Sequence, residues 1–321
     1  MIARFRREFS VATALVLLLL LLAVAAPRFY GPDQLRAWIV SSAPVLVAAV
    51  GMTLVILCRQ IDISIGSIFS VCGVVAGLLA QARFPIGVVV LGTLLAGGAM
   101  GAANGILVAR LGLPSIVVTL ATMVIWRESL RYAREGEFVR NLPQGFQWFG
   151  QGQKTGQWIV VAIAIAVFMA FAWGLRYMAA LRFVYATGSD PEAARLAGIR
   201  PRRVVFGVFV TMGALAALAA LLSAVRFADV DPNSGSGLEL QVIAAVVVGG
   251  VAVTGGRGTL AGSAIGVALL GAITPALVFL GTNPHLAFLG AKPHWEKAIQ
   301  GLIILLAVTW DSLYREGGDM R

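Results

Sequence analysis

Charge is scarce in this chain. Only 12% of its 321 residues are charged, while 59% are hydrophobic; a soluble domain carries about 25% charged residues. The longest weakly apolar stretch, 127–156, is too short to fold alone, which excludes a soluble domain. Cysteine is limited to Cys58 and Cys72, both inside apolar runs, so they read as small buried hydrophobes rather than a disulfide. The two histidines, His285 and His294, share one loop with no acidic cluster, so no metal site is expected. No Gly-Lys dipeptide occurs, which removes a phosphate-binding P-loop and with it any ATPase activity of the chain itself by that route. No Ser/His or acid pair lies within the apolar spans, so no catalytic residue is assigned and an enzyme is not expected. Nor does any span carry the aromatic-plus-carboxylate cluster of a tight sugar site. Trp126, Trp148, Trp158, Trp173 and Trp295 fall at or near span ends, as in an aromatic belt.

What is present is a succession of apolar segments, each near the ~20 residues that cross a bilayer. We expect an all-α, polytopic transmembrane helical bundle forming one domain, 1–321, with ten spans near 11–26, 37–58, 67–81, 85–109, 114–126, 157–177, 204–226, 239–254, 261–282 and 297–314. The segments 67–81, 114–126 and 239–254 are short, as broken or partial helices are. The basic N-terminus followed by Val11–Ala26 resembles a signal peptide, but the many later spans favour an uncleaved first helix. The net charge of +10 does not point to nucleic acid, because the arginines sit at span ends, where they orient the chain in a lipid bilayer. With the N-terminus inside, 14 of the 25 Lys and Arg residues are cytoplasmic, six of them in 176–203. Both termini are then cytoplasmic, and 127–156 is an outer loop suited to solvation or to docking a soluble partner.

Small residues recur in a pattern. Gly97, Gly101 and Gly105 are spaced by four, as are Gly258, Gly262 and Gly266; such stripes let helices approach closely. Asp62-Ile-Ser-Ile-Gly-Ser precedes one short span and Asp231-Pro-Asn-Ser-Gly-Ser precedes another. The spacing predicts an inverted repeat relating spans 2–5 to spans 7–10.

Three segments carry the functional reading. In the first, Asp62, Ser64, Gly66 and Ser67 interrupt an apolar run, with Arg59 as the near partner for Asp62. Their polar groups must be satisfied inside the protein, either as a turn beside a solute path or as a cap on span 3, and the two readings are compatible. In the second, Glu239 opens a short helix, and Gly249-Gly250 and Gly255-Gly256 let the backbone bend. Arg257 can there reach backbone carbonyls or lipid phosphate. In the third, Gly188 precedes a helix capped by Asp190, with Pro191 at its first position, Glu192 in its first turn and Gly198 at its end. Ala193, Ala194 and Ala197 make it narrow enough to lie in another protein's groove.

Together, Ile61–Ser67, Tyr185–Ile199, Gly235–Gly250 and Gly255–Gly258 resemble the ABC-importer permeases for monosaccharides, the group of the ribose, xylose, arabinose, rhamnose and autoinducer-2 systems. The resemblance runs over nearly the whole chain and is nearest to the rhamnose and autoinducer-2 permeases, with rhamnose ahead. It implies a multi-pass permease of the bacterial inner membrane working with a second permease, a cytoplasmic ATP-binding subunit and a periplasmic sugar-binding protein. No cofactor would bind directly; ATP would be used by the partner ATPase. The loop 178–203 would be the ATPase-coupling loop. The alternative is an ion-coupled secondary transporter, which would need intramembrane carboxylates as relays; Asp62 and Glu239 come closest.

Overall fold

The computed structural model describes residues 6–281, together with 298 and 301. In chain order the helices are α1 (Arg6–Ala25), α2 (Pro32–Leu57), α3 (Ile65–Gln81), α4 (Ile86–Gly105, continued by a π-helical turn, Ile106–Arg110), α5 (Ser115–Arg134), α6 (Gln153–Tyr177), α7 (Ala179–Ser189), α8 (Pro191–Leu196), α9 (Pro201–Ala224), α10 (Leu238–Val248) and α11 (Leu260–Gly281). Six of these, α1, α2, α4, α6, α9 and α11, are long and apolar enough to cross a membrane, and α3 and α10 are shorter apolar helices. The chain is an all-α bundle. The tenth expected span, 297–314, and the loop holding His285, His294 and Trp295 lie outside the described residues.

Helix α9 is the centre. It packs against α4, α2 and α3, and Phe209, Met212, Leu221 and Leu222 on it are fully buried. The stripe expected on α4 sets the closest approach. A Cβ on Gly97 would lie 2.4 Å from the Gly213 carbonyl oxygen, and one on Gly101 would lie 2.2 Å from that of Phe209. Both neighbours are backbone, so neither helix can yield locally. Gly262 and Gly266 hold α11 against α10 in the same way, 2.0 Å from the Gly249 and Ala245 oxygens.

The pairing repeats. Helices α3 and α4 pack on each other and on α9, while α10 and α11 pack on each other and on α2. Each half thus lays its second and third helices on the first helix of the other. Gly66 and Gly235, equivalent positions of the two Asp-x-x-x-Gly-Ser motifs, meet each other: a Cβ on either would come within 2.5 Å of the other's carbonyl oxygen.

Two expected boundaries move. Helix α5 runs past residue 126 to Arg134, so the loop expected at 127–156 begins as two helical turns. The rest of it is largely exposed but pinned to the bundle at intervals. Val139, Leu142 and Phe146 are buried, and Val139 exchanges backbone hydrogen bonds with Val230 while Trp148 N–H donates to the Val225 oxygen. The expected span 239–254 is helical only to Val248, because Gly250, Gly255, Gly256 and Gly258 adopt positive φ and turn the chain back towards α11. At the other edge, α1 packs on α11 through Leu22 and Ala26, with Phe29 alongside Ala276 and Leu280. Outward faces remain strongly apolar: Leu91 and Leu95 on α4, Val117 and Ile125 on α5 and Met169 on α6 are exposed, as suits lipid or a second membrane subunit.

Candidate functional site

The first polar turn lies between α2 and α3 and has irregular backbone deep in the bundle. Asp62 is fully buried. Its Oδ1 accepts from the Ser64 N–H at 2.9 Å and the Ser64 hydroxyl at 2.5 Å. Asn104 Nδ2 on α4 donates to Ser64 Oγ (2.8 Å), and Thr122 on α5 donates to Asn104 Oδ1 (2.9 Å). Ser115 and Thr119 accept from the Ile61 and Ile63 N–H groups at 3.2 and 3.1 Å, and Ser67 donates to the Ser64 carbonyl. Non-helical backbone at membrane depth needs such partners, since each bare amide in hydrocarbon is costly. Among the described residues Asp62 Oδ2 alone in this network has none. Asp62 and Ser64 make no side-chain cap on α3, so the turn is held by its neighbours.

The second polar turn, 231–237, leads into α10 and seats on the first. Gly235 N–H donates to Ser70 Oγ at 3.0 Å. Glu239, buried in the first turn of α10, places one carboxylate oxygen where a side chain on Gly66 would begin, 2.1 Å from that ideal Cβ. Its Oε1 is 3.4 Å from Arg127 Nη2 on α5, and Oε2 has no partner among the described residues. The expected residues Asp62, Ser64, Gly66, Ser67 and Glu239 are therefore brought together. Sequence reasoning missed Asn104, Thr119, Thr122 and Arg127. The signal for Asn104 was present, since an amide inside an otherwise apolar run must find a partner. Arg127 falls within the loop expected at 127–156, because the apolar signal of α5 stops before the helix does.

A third group lies at the α8 end. Asp190 Oδ1 accepts from the Glu192 and Ala193 N–H groups at 2.9 and 3.1 Å, Pro191 takes the first helical position, and Gly198 has φ 82°. Glu192 pairs with Arg195 on the surface. Ala194 is buried against the chain's own bundle, contrary to its expected place on a docking face; Ala193, Ala197 and Leu196 are exposed, Leu196 at 83%. Gly188 closes a tight joint, where a Cβ would sit 1.6 Å from the Leu57 carbonyl oxygen at the end of α2. That oxygen accepts from the Gly256 N–H. Arg59 does not reach Asp62. Its Nε donates to the Thr254 carbonyl (2.7 Å) and its Nη2 to that of Ser189 (2.8 Å), while Tyr185 donates to the Gly258 carbonyl. The arginine that bridges carbonyls is thus Arg59; the Arg257 side chain is exposed. Helix α7, the glycine return and the end of α2 form one joint, and Gly249 continues it into the α10–α11 contact.

Residues 34–308 match the model of a family described as branched-chain amino acid transport system / permease component. The autoinducer 2 import system permease protein of Escherichia coli O157:H7 is 34% identical over 310 residues, 96% of this chain and 88% of that protein. The counterpart from Salmonella typhi is 31% identical over 309 residues, 96% and 86% of the two chains. The ribose import permease protein of Escherichia coli K12 is 32% identical over 304 residues, 93% of this chain and 92% of that one.

Proposed function

The chain belongs to this permease-component family, and from that premise we propose that it is the membrane subunit of an ATP-driven importer for a monosaccharide or related small hydroxylated molecule. Rhamnose is the first solute to test, followed by ribose and autoinducer 2, the solutes in its relatives' names. The chain acts as one permease domain, 1–321, in the bacterial inner membrane with both termini cytoplasmic. A second permease completes the path, a periplasmic binding protein delivers the solute, and the residues around Asp62 and Glu239 border its route. The chain binds no cofactor of its own; a cytoplasmic ATP-binding subunit supplies the work.

The observation that carries the coupling is the joint at the α8 end. A capped surface helix displays Leu196, while Gly188 and Arg59 tie its root to the end of α2 and to the return that leads from α10 into α11. A push on α8 is thus delivered to backbone on both halves of the repeat. The test is gentle solubilisation from native membranes with identification of what co-purifies. A stoichiometric ATP-binding subunit, lost in Leu196→Asp with Glu192→Lys, is expected; its retention in that variant, with normal uptake, removes the coupling role.

One observation favours a second reading. Asp62 is buried with an uncommitted carboxylate oxygen, the feature an ion-coupled transporter would use. Collapse of uptake by a proton uncoupler, with ATP held constant, would select it.

A further inference from the structure

At the end of α9 away from α8 the bundle opens into a cavity of about 390 Å³, within the ordinary range for small-molecule pockets. Four parts of the chain meet there: α3, the stretch after α5, the last turns of α9, and the turn between α9 and α10. Phe69 forms its buried base, while Phe138 and Phe227 stand at its mouth, 44% and 54% exposed. Asp229, Asp231 and Ser234 line the same space. Each aspartate spends one oxygen on backbone: Asp229 Oδ1 accepts from the Asn141 N–H (3.0 Å) and Asp231 Oδ1 from the Asn233 N–H (2.8 Å). These bonds fix the carboxylates and leave each second oxygen without a hydrogen bond among the described residues. The base at Phe69 lies one helical turn from Gly66, where the two polar turns meet.

We infer that this cavity is a solute-binding vestibule for a neutral, ring-shaped polyol, entered from the binding-protein side. This rests on the importer reading above. The chemistry is specific. Phenyl faces pack against the C–H face of a sugar ring, and fixed carboxylate oxygens accept strong hydrogen bonds from neighbouring hydroxyls. Among the described residues no basic side chain lines the cavity, so an amino acid, including the branched-chain amino acids named in the family's description, can pair its ammonium with the aspartates but finds no counter-charge for its carboxylate. A neutral polyol meets no such mismatch. The aromatic-plus-carboxylate cluster absent from every single span is assembled here from α3, the stretch after α5 and the α9–α10 turn. The two half-exposed phenyl groups leave the site open, which suits brief holding before passage.

The test uses the full chain in lipid nanodiscs, without ATPase or uptake, so its failure is distinct from failure of the importer reading. Both native cysteines, Cys58 and Cys72, are buried. Ser234→Cys introduces a thiol in the cavity and Gln151→Cys an exposed thiol elsewhere, each labelled with a charged maleimide. Rhamnose or ribose should slow labelling at 234 by the factor 1 + [sugar]/Kd, about threefold at twice Kd, and leave 151 unchanged. Leucine should protect neither. Adding Phe227→Ala or Asp231→Asn to the Ser234→Cys chain should reduce protection at the same sugar concentration, through a raised Kd, while the unprotected labelling rate is kept. Absence of protection by either sugar up to tens of millimolar, equal slowing at both thiols, or protection by leucine or an alkyl amine instead of sugar would each overturn the proposal.

Discussion

The two polar turns share a motif and differ in fate. Asp62 and Asp231 each stand four residues before a glycine and five before a serine, and each accepts from the N–H two residues on. Their glycines, Gly66 and Gly235, face each other. The first turn is covered by α4 and α5, so Asn104, Thr119 and Thr122 consume its polar groups. The second is uncovered on one side, where Asp229 and Asp231 line a cavity. One local structure therefore serves as a rivet where it is buried and as a recognition surface where it is open. The surroundings decide which, because a buried polar group must be satisfied within the protein while an exposed one stays available.

The glycine pair common to both turns gives the largest expected effect. Gly66→Val or Gly235→Val drives a side chain into backbone on the opposite turn, at 2.5 and 2.0 Å already for the first carbon. Neither variant should yield monodisperse protein on size exclusion or any uptake. Gly98→Val, on α4 with nothing within 4 Å of its first side-chain carbon, should change neither measurement. A functional Gly235→Val protein would mean that the turns are not in contact.

Next comes Asp62→Ala. It strands two buried donors, the Ser64 amide and hydroxyl, at a cost of about 1–3 kcal/mol each. Thermal unfolding in a fixed detergent should fall clearly, whereas Asp231→Ala, whose loss water can make good, should fall far less. Equal losses would erase the contrast between rivet and surface.

How much of this was legible in the sequence follows the same division. The helices and the glycine stripes were readable because apolar runs and spacing by four are local signals. The cap at Asp190 was readable for the same reason. The partners of the rest of the first turn were not, since Asn104 on Ser64 and Ser115 and Thr119 on the Ile61 and Ile63 amides come from α4 and α5, 40 and more residues away, and Arg59, the nearest charge in sequence, reaches Thr254 and Ser189 instead of Asp62. Arg127 was hidden by hydropathy: α5 turns charged in its last two turns, so its apolar signal stops before the helix does. The cavity was invisible for a further reason. No segment contains it, and Phe138 comes beside Asp229 through long-range bonds, the pairing of Val139 with Val230 and the Asn141 N–H on Asp229 among them.

The ion pair Arg127–Glu239 tests the border between the two turns. Its 3.4 Å separation and partial exposure, 22% and 11% for the two side chains, imply modest coupling. Arg127→Met and Glu239→Gln should each destabilise the chain, and the double variant should recover part of the loss, with a coupling of about 0.5–3 kcal/mol in a double-mutant cycle. A coupling of zero would mean that Glu239 is held by the Gly66 contact alone.

The smallest expected effect on stability is Asp231→Asn, and it separates the turns most cleanly. The amide oxygen of asparagine can keep accepting from the Asn233 N–H, so the turn retains its hydrogen bond and stability should move by less than about 0.5 kcal/mol. What is lost is the negative charge on the uncommitted oxygen, and with it a strong acceptor for a solute hydroxyl. Uptake should therefore weaken through a raised KM with the unfolding temperature unchanged. In the first turn the same change cannot separate the two measurements, because Asp62→Asn sets a new amide donor in a space where the carboxylate oxygen it replaces already has no partner. Stability should fall there together with uptake. If Asp231→Asn instead lowers stability as much as Asp62→Asn does, the second turn is a rivet too, and the cavity beside it is only a gap in the packing.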